Sequence, residues 1–130
     1  MPQFDKFQIE DLKDYVSHSD IHDAKIENLR YDRVKRILTI ETINPSWGAK
    51  INVAFKEVKV VLSVSGNWHG SRDTILSLTV EDDYAYVQNF TQVCGNCLED
   101  TLYLMFQMFS GDELHIVAEK VLMEKTPYSD

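Results

Sequence analysis

The spacing of apolar positions changes near residue 24, and that change divides the chain. Before it, Phe4, Phe7, Leu12 and Val16 recur at helical spacing, with Asp5, Glu10, Asp11 and Asp14 lying mostly between them. The pattern predicts a short amphipathic helix over residues 4–16, its first turn favoured by Asp5 against the helix dipole. From Ala24 onward the period is two. Leu29 and Tyr31 share a face of one strand, and Leu38, Ile40 and Thr42 share a face of the next. The short polar link between them predicts an antiparallel hairpin. Asn44-Pro45-Ser46-Trp47-Gly48 ends the second run with strong turn chemistry.

The third run alternates through Ile51, Val53 and Phe55, loses phase at Lys56-Glu57, and resumes as Val58, Val60 and Leu62. A slip inside an apolar run implies a β-bulge or a tight corner, since otherwise the inward face would turn outward. The turn-rich stretch Ser65–Ser71 follows, then a strand through Leu76, Leu78 and Val80, stopped by Glu81-Asp82-Asp83. Tyr84, Tyr86, Gln88 and Phe90 alternate with Ala85, Val87 and Asn89, which reads as a strand, with a short helix as the alternative. Leu102, Leu104, Phe106 and Met108 share one face and Tyr103, Met105 and Phe109 the other. A strand buried on both faces is expected there, with the N-terminal helix a candidate to cover one of them. Ser110-Gly111-Asp112 links it tightly to Leu114, Ile116 and Ala118, and residues 126–130 are expected to fray.

These elements make a mainly β chain (α+β by count). The expected fold is a single domain over 1–130, with one short N-terminal helix packed on an antiparallel sheet of about seven or eight strands across 24–124, curled or sandwich-like. With 44% hydrophobic residues in 130, a core needs no metal or disulfide staple. No apolar run approaches the ~20 residues that span a bilayer, so no membrane partner is expected. The opening Met1-Pro2-Gln3-Phe4-Asp5-Lys6 lacks the basic and apolar parts of a secretory signal, which makes the cytoplasm the expected address.

Charge narrows the partner. The net charge is −8, which argues against nucleic acid because phosphate binding needs concentrated positive charge. The bias is uneven: residues 24–60 hold eight basic and four acidic side chains, and residues 61–130 hold three basic and eleven acidic. Arg30, Arg33, Lys35 and Arg36 form a local basic patch, read as a solvated hairpin turn, with a small anion or acidic partner as the alternative.

Three clusters invite chemistry. His18 and His22 are four apart, and on a helix they would share a face with Asp20 or Asp23 as a two-His, one-carboxylate metal site. Ser17, Ser19 and Asp20 favour a loop, and no later ligand motif completes the set. The plainer reading is that Asp20 or Asp23 fixes a turn and His22 packs at the sheet's edge. Cys94-Gly95-Asn96-Cys97 lacks the βαβ setting of a redox dithiol and the second pair of a zinc ribbon, so two reduced thiols at a turn are expected. Half a metal site completed in an assembly is the alternative. Trp47 and Trp68, the latter followed by His69, lie in turn-rich loops, where an indole either caps the core or presents a contact surface. No phosphate loop, nucleophile elbow or Ser/His/Asp set is readable, so no residue is proposed as catalytic and no cofactor is expected.

His22-Asp23-Ala24-Lys25-Ile26, Leu29-Arg30-Tyr31-Asp32 and Leu38-Thr39-Ile40-Glu41, with the closing run Glu113–Val121, resemble small uncharacterised bacterial β-rich proteins. These carry a His-Asp-x-x-Ile opening, and some are grouped with immunity proteins of toxin systems. The resemblance spans about residues 22–124, rests on strand patterning, and transfers no functional residue. It implies a cytoplasmic binding role. The expected function is therefore that of a non-enzymatic module that binds another protein, and a basic partner would suit its acidic surface. Trp47, Trp68, His69, His22 and Asp23 are the candidate binding residues. The alternative is a metal- or small-molecule-binding protein using His18, His22 and Asp23 or the Trp47 and Trp68 loops. Self-association through an exposed strand edge stays open.

Overall fold

The structure, a computed structural model, describes residues 2–66, 70–91 and 98–128. Trp68, His69, Cys94 and Cys97 lie outside them. Seven antiparallel strands form the frame: β1 (Gln3–Phe4), β2 (Lys25–Asp32), β3 (Ile37–Asn44), β4 (Ala49–Val64), β5 (Ile75–Glu81), β6 (Leu102–Met108) and β7 (Glu113–Pro127). They run in the spatial order β2-β3-β4-β7-β6-β5, and β1 pairs with β7 at Val121 and Leu122, beyond the end of β6. Helix α1 (Ile9–Ser17) precedes β2, and a second helix, α2 (Ala85–Thr91), follows β5.

The sheet curls until its two edge strands touch at one place. Lys25 bridges Thr74; the Ile26 N–H donates to the Asp73 carbonyl, the Ile75 N–H to Ala24 and the Asp23 N–H to Ile75, each at 2.8 Å. Past that point the edges part and the sheet is not closed. The concave face buries Leu38 and Ile40 of β3, Ile51, Val53 and Phe55 of β4, Leu104 and Phe106 of β6, and Ile116, Val121 and Met123 of β7. Leu12 of α1 is fully buried in the same cluster, with Val16 and Ile9 packed against it. A smaller cluster forms elsewhere from Val60, Val87, Leu98, Tyr103 and Val117.

β4 loses phase where predicted, but its register shifts two residues later, between Val58 and Val60, which the sequence reads as one continuous run. Phe55 and Val58 both serve the main core, although three residues apart, and Glu57 between them takes a left-handed conformation at φ 53°. The register then shifts between Val58↔Ala118 and Val60↔Val117, leaving Lys59 as the extra residue. One long strand thereby feeds Val58 to the main core and Val60 to the second.

Several expectations are corrected. The helix expected over 4–16 starts late: Phe4 pairs in β1, and Asp5 caps a single 3₁₀ turn, Lys6–Gln8. Its carboxylate accepts from the Phe7 N–H at 2.9 Å while the Gln8 side chain accepts from the Asp5 N–H at 3.0 Å. Phe7 is left exposed. Residues 85–91 are helical rather than extended. The Asp83 carboxylate accepts from the Ala85 N–H at 3.0 Å, and the three-residue spacing of Tyr84 and Val87 puts both onto the second cluster. Tyr103 and Val87 share that cluster, so α2 covers the outer side of β6. Leu12 of α1 packs in the main cluster with Leu104 and Phe106 of the inner side of β6, the one face α1 is expected to cover. The tail pairs further than expected: Thr126 and Pro127 belong to β7, and the Tyr128 N–H donates to the Gly48 carbonyl at 2.7 Å.

Candidate functional site

The stretch from His18 to Asp23 turns the chain from α1 into β2, and it does so with two aspartates in left-handed conformations, Asp20 at φ 60° and Asp23 at φ 69°. Aspartate tolerates that region better than most residues because its short side chain bonds locally. The loop is held from several sides. The buried Ser19 hydroxyl donates to the Val16 carbonyl at 2.8 Å, and Ile21 is buried. The buried Asn44 amide donates to the carbonyls of Asp20 at 2.8 Å and His22 at 3.0 Å. Lys125 pairs with Asp20 at 2.5 Å.

This bracing does not assemble a metal site. His18 caps the end of α1, its N–H reaching the Tyr15 carbonyl and its Nδ1 2.9 Å from the Asp14 carbonyl. The His22 ring points the other way, with Nδ1 on the main-chain carbonyl of Leu76. A carbonyl only accepts, so Nδ1 carries the hydrogen; Nε2 lies 3.5 Å from the Asp23 carboxylate. Among the described residues no group of three His, Cys, Asp or Glu side chains is placed to hold a metal ion.

The arrangement does build a groove. Pro45–Trp47 forms one 3₁₀ turn between β3 and β4, closed by Gly48 at φ 60°. That turn presents Trp47 to solvent, 70% exposed, so the indole does not cap the core. Beside it lies an open hollow of about 410 Å³ lined by Val16, Ser17, Ile21, His22 and Trp47 together with Leu76–Leu78 of β5. A second hollow of about 330 Å³, lined by Lys13, Val16, Ser17 and Leu78–Val80, shares Val16, Ser17 and Leu78 with the first. The two form one trough between α1 and β5. Trp47 and His22 thus meet here, with Asp23 beside His22.

The basic patch lies on the exposed β2–β3 turn, as expected of a solvated hairpin turn. Arg30 pairs with Glu41 at 3.0 Å, and the Asp32 carboxylate accepts from the Val34 and Lys35 N–H groups at 3.0 Å to build the β2–β3 turn.

Sequence reasoning missed a buried polar chain on the outer side of the sheet. Tyr103 and His115 are only 3% and 4% exposed, and the Tyr103 hydroxyl lies 2.6 Å from His115 Nδ1. His115 Nε2 lies 2.8 Å from the Glu113 carboxylate, and the Tyr86 ring stacks on the imidazole at 4.8 Å. With Nε2–H donating to the carboxylate, Nδ1 accepts from Tyr103, and every member is satisfied. Burial, aided by the negative charges of Glu81 and Glu113, pushes the Tyr103 hydroxyl up to about 12, which keeps it a donor. Glu113 and His115 share a strand face by their two-residue spacing, a signal available in sequence. Their nearness to Tyr103 depends on the β6–β7 register, which is not.

No helix among the described residues is long and apolar enough to cross a membrane. Comparison with protein-family models, curated proteins and solved structures found no match to this chain.

Proposed function

We propose that this chain is a non-enzymatic binding module whose ligand is another protein, engaged through the trough between α1 and β5 with Trp47 as its anchor. The observation that carries the reading is the exposure of Trp47 at the mouth of that trough. A large indole left in water at the rim of an apolar groove is the residue type that most often dominates interface energies. The polar chain at Tyr103 does not compete as an active site, because Tyr103 and His115 are buried and only Glu113 reaches solvent. The resemblance over residues 22–124 to small bacterial β-rich proteins, some of them grouped with immunity proteins, agrees with a module that masks a partner, and the net charge of −8 favours a basic one.

Phage-displayed libraries of small folded proteins and of random linear peptides, selected on the wild type and counter-screened on Trp47→Ala, test the reading. Binders that hold the wild type and lose Trp47→Ala support it; a panel indifferent to Trp47 refutes it. A small-molecule site in the same place is the second reading. Its support is the volume of about 410 Å³, within the range of small-ligand pockets.

A further inference from the structure

We infer that the trough takes an extended, basic segment of the partner, which adds to the outer edge of β5 as a further strand. The inference rests on the binding role proposed for the same trough, and it adds the conformation and charge of what is bound.

β5 ends the strand order, and among the described residues its outer edge bonds to backbone only at its start, where Ile75 exchanges hydrogen bonds with Ala24 and Asp23. One residue further on, the neighbouring chain offers a side chain instead of its backbone, the His22 imidazole on the Leu76 carbonyl. From there the chain leading back from β2 departs into α1. Among the described residues no strand lies beside Ser77–Glu81. Exposed edges are usually blunted by lysine, proline or a cover. β5 is irregular at its start, where the register shifts between Ile75 and Ser77, but from Ser77 to Glu81 its pairing is regular and it holds neither lysine nor proline. What lies alongside instead is the open trough walled by α1. The stretch Ser77–Glu81 runs about 13 Å at ~3.3 Å per residue, long enough to pair several residues of an incoming segment. Main-chain bonds to a bare edge supply affinity in such a mode, and pockets for alternate side chains supply selectivity.

Charge selects the occupant. Asp20 lines the trough; Glu10 and Asp14 belong to α1, the helix that walls it, Asp23 follows the lining His22, and Glu81 and Asp82 follow the lining Val80. The cations among them are already engaged, Lys13 with Glu10 at 3.7 Å and Lys125 with Asp20 at 2.5 Å. Counted over the lining and the residues flanking it, six carboxylates against two lysines leave a net negative charge around an apolar floor of Val16, Leu76, Leu78 and Val80. An extended segment with apolar residues facing the floor and lysine or arginine flanking them complements both.

The linear peptides recovered in the selection provide the test. They should alternate apolar and basic positions. N-methylation at every second residue in one register should weaken binding at least about ten-fold, and in the other register leave it unchanged. Bound peptide should slow hydrogen exchange at amides within Ser77–Glu81, and affinity should fall with salt. Peptides that bind without a register effect, or that carry net negative charge, overturn strand addition while leaving the Trp47-dependent role standing. So does a selection that yields only folded binders sensitive to Trp47→Ala. Binders insensitive to Trp47 remove both claims. Pairing of β5 with a second copy would appear as a concentration-dependent dimer that the peptide does not dissociate, and would overturn the inference.

Discussion

His22 holds the main-chain carbonyl of Leu76 through its Nδ1–H, one residue past the last backbone hydrogen bonds that join the two edges of the sheet. A side chain takes over where the ladder stops, and it fixes how far β5 stands from the loop after α1. His22→Ala removes that donor. Because the ring is largely exposed, water replaces part of the bond, and the cost should be about 0.5–1 kcal/mol. Urea unfolding should show a lower midpoint with an unchanged slope. A changed slope would mean that the edges separate further than this one contact explains.

Leu12 carries the attachment of α1. It is fully buried in the main cluster, on a helix of nine residues too short to persist alone in water. Leu12→Ala should cost about 2–5 kcal/mol, the range for deleting a buried leucine side chain. A loss below 1 kcal/mol by urea denaturation would show that α1 is not held by this packing.

The Tyr103–His115–Glu113 chain predicts an alkaline limb in stability. Tyr103 ionises near 10.0 when free and near 12 in the fold, because burial opposes the phenolate. Between those values the unfolded chain loses the proton and the folded one keeps it, so stability present below pH 10 is lost as pH rises towards 12. Tyr103→Phe should flatten that limb. It should also cost about 1–3 kcal/mol near neutral pH, since His115 Nδ1 is left without its donor. Thermal melts of both proteins across the alkaline range decide this, and parallel curves would remove Tyr103 as the titrating group.

Strand faces were legible because one side of each strand must be apolar. The slip at Lys56-Glu57 was legible for the same reason, since Phe55 and Val58 cannot both face inward on a regular strand. Two features were not. Tyr84–Phe90 alternates well enough for a strand, yet what matters in the fold is the three-residue step from Tyr84 to Val87, both drawn onto the second cluster. Trp47 and His22 lie far apart in sequence, and they meet because the Asn44 amide binds the carbonyls of Asp20 and His22. Which carbonyls a buried amide will find is a tertiary fact, and no local pattern announces it.

The β2–β3 turn offers a stabilising change. Arg36 sits at φ 55°, a region that costs a non-glycine residue about 1–2 kcal/mol, while its carbonyl accepts from the Val58 N–H at 3.0 Å. Arg36→Gly keeps that backbone bond and relieves the conformation, and the unfolded chain's gain in freedom offsets part of the benefit. Stability should rise by a few tenths to about 1 kcal/mol in urea unfolding. Destabilisation would show that the Arg36 side chain contributes more than its backbone conformation costs.

Trp47→Ala separates binding from folding. An indole that is 70% exposed on a 3₁₀ turn contributes little to the core, and the turn itself is set by Pro45 and Gly48, which the substitution leaves in place. Stability should therefore stay within about 0.5 kcal/mol of the wild type. Partner affinity should fall by at least about ten-fold, which corresponds to 1.4 kcal/mol. Asn44→Ala should do the reverse, destabilising by about 1–3 kcal/mol because the Asp20 and His22 carbonyls lose their shared donor. Affinity should follow only so far as the loop moves. Equal losses of stability and affinity in both variants would mean that Trp47 acts as part of the scaffold and not as a contact.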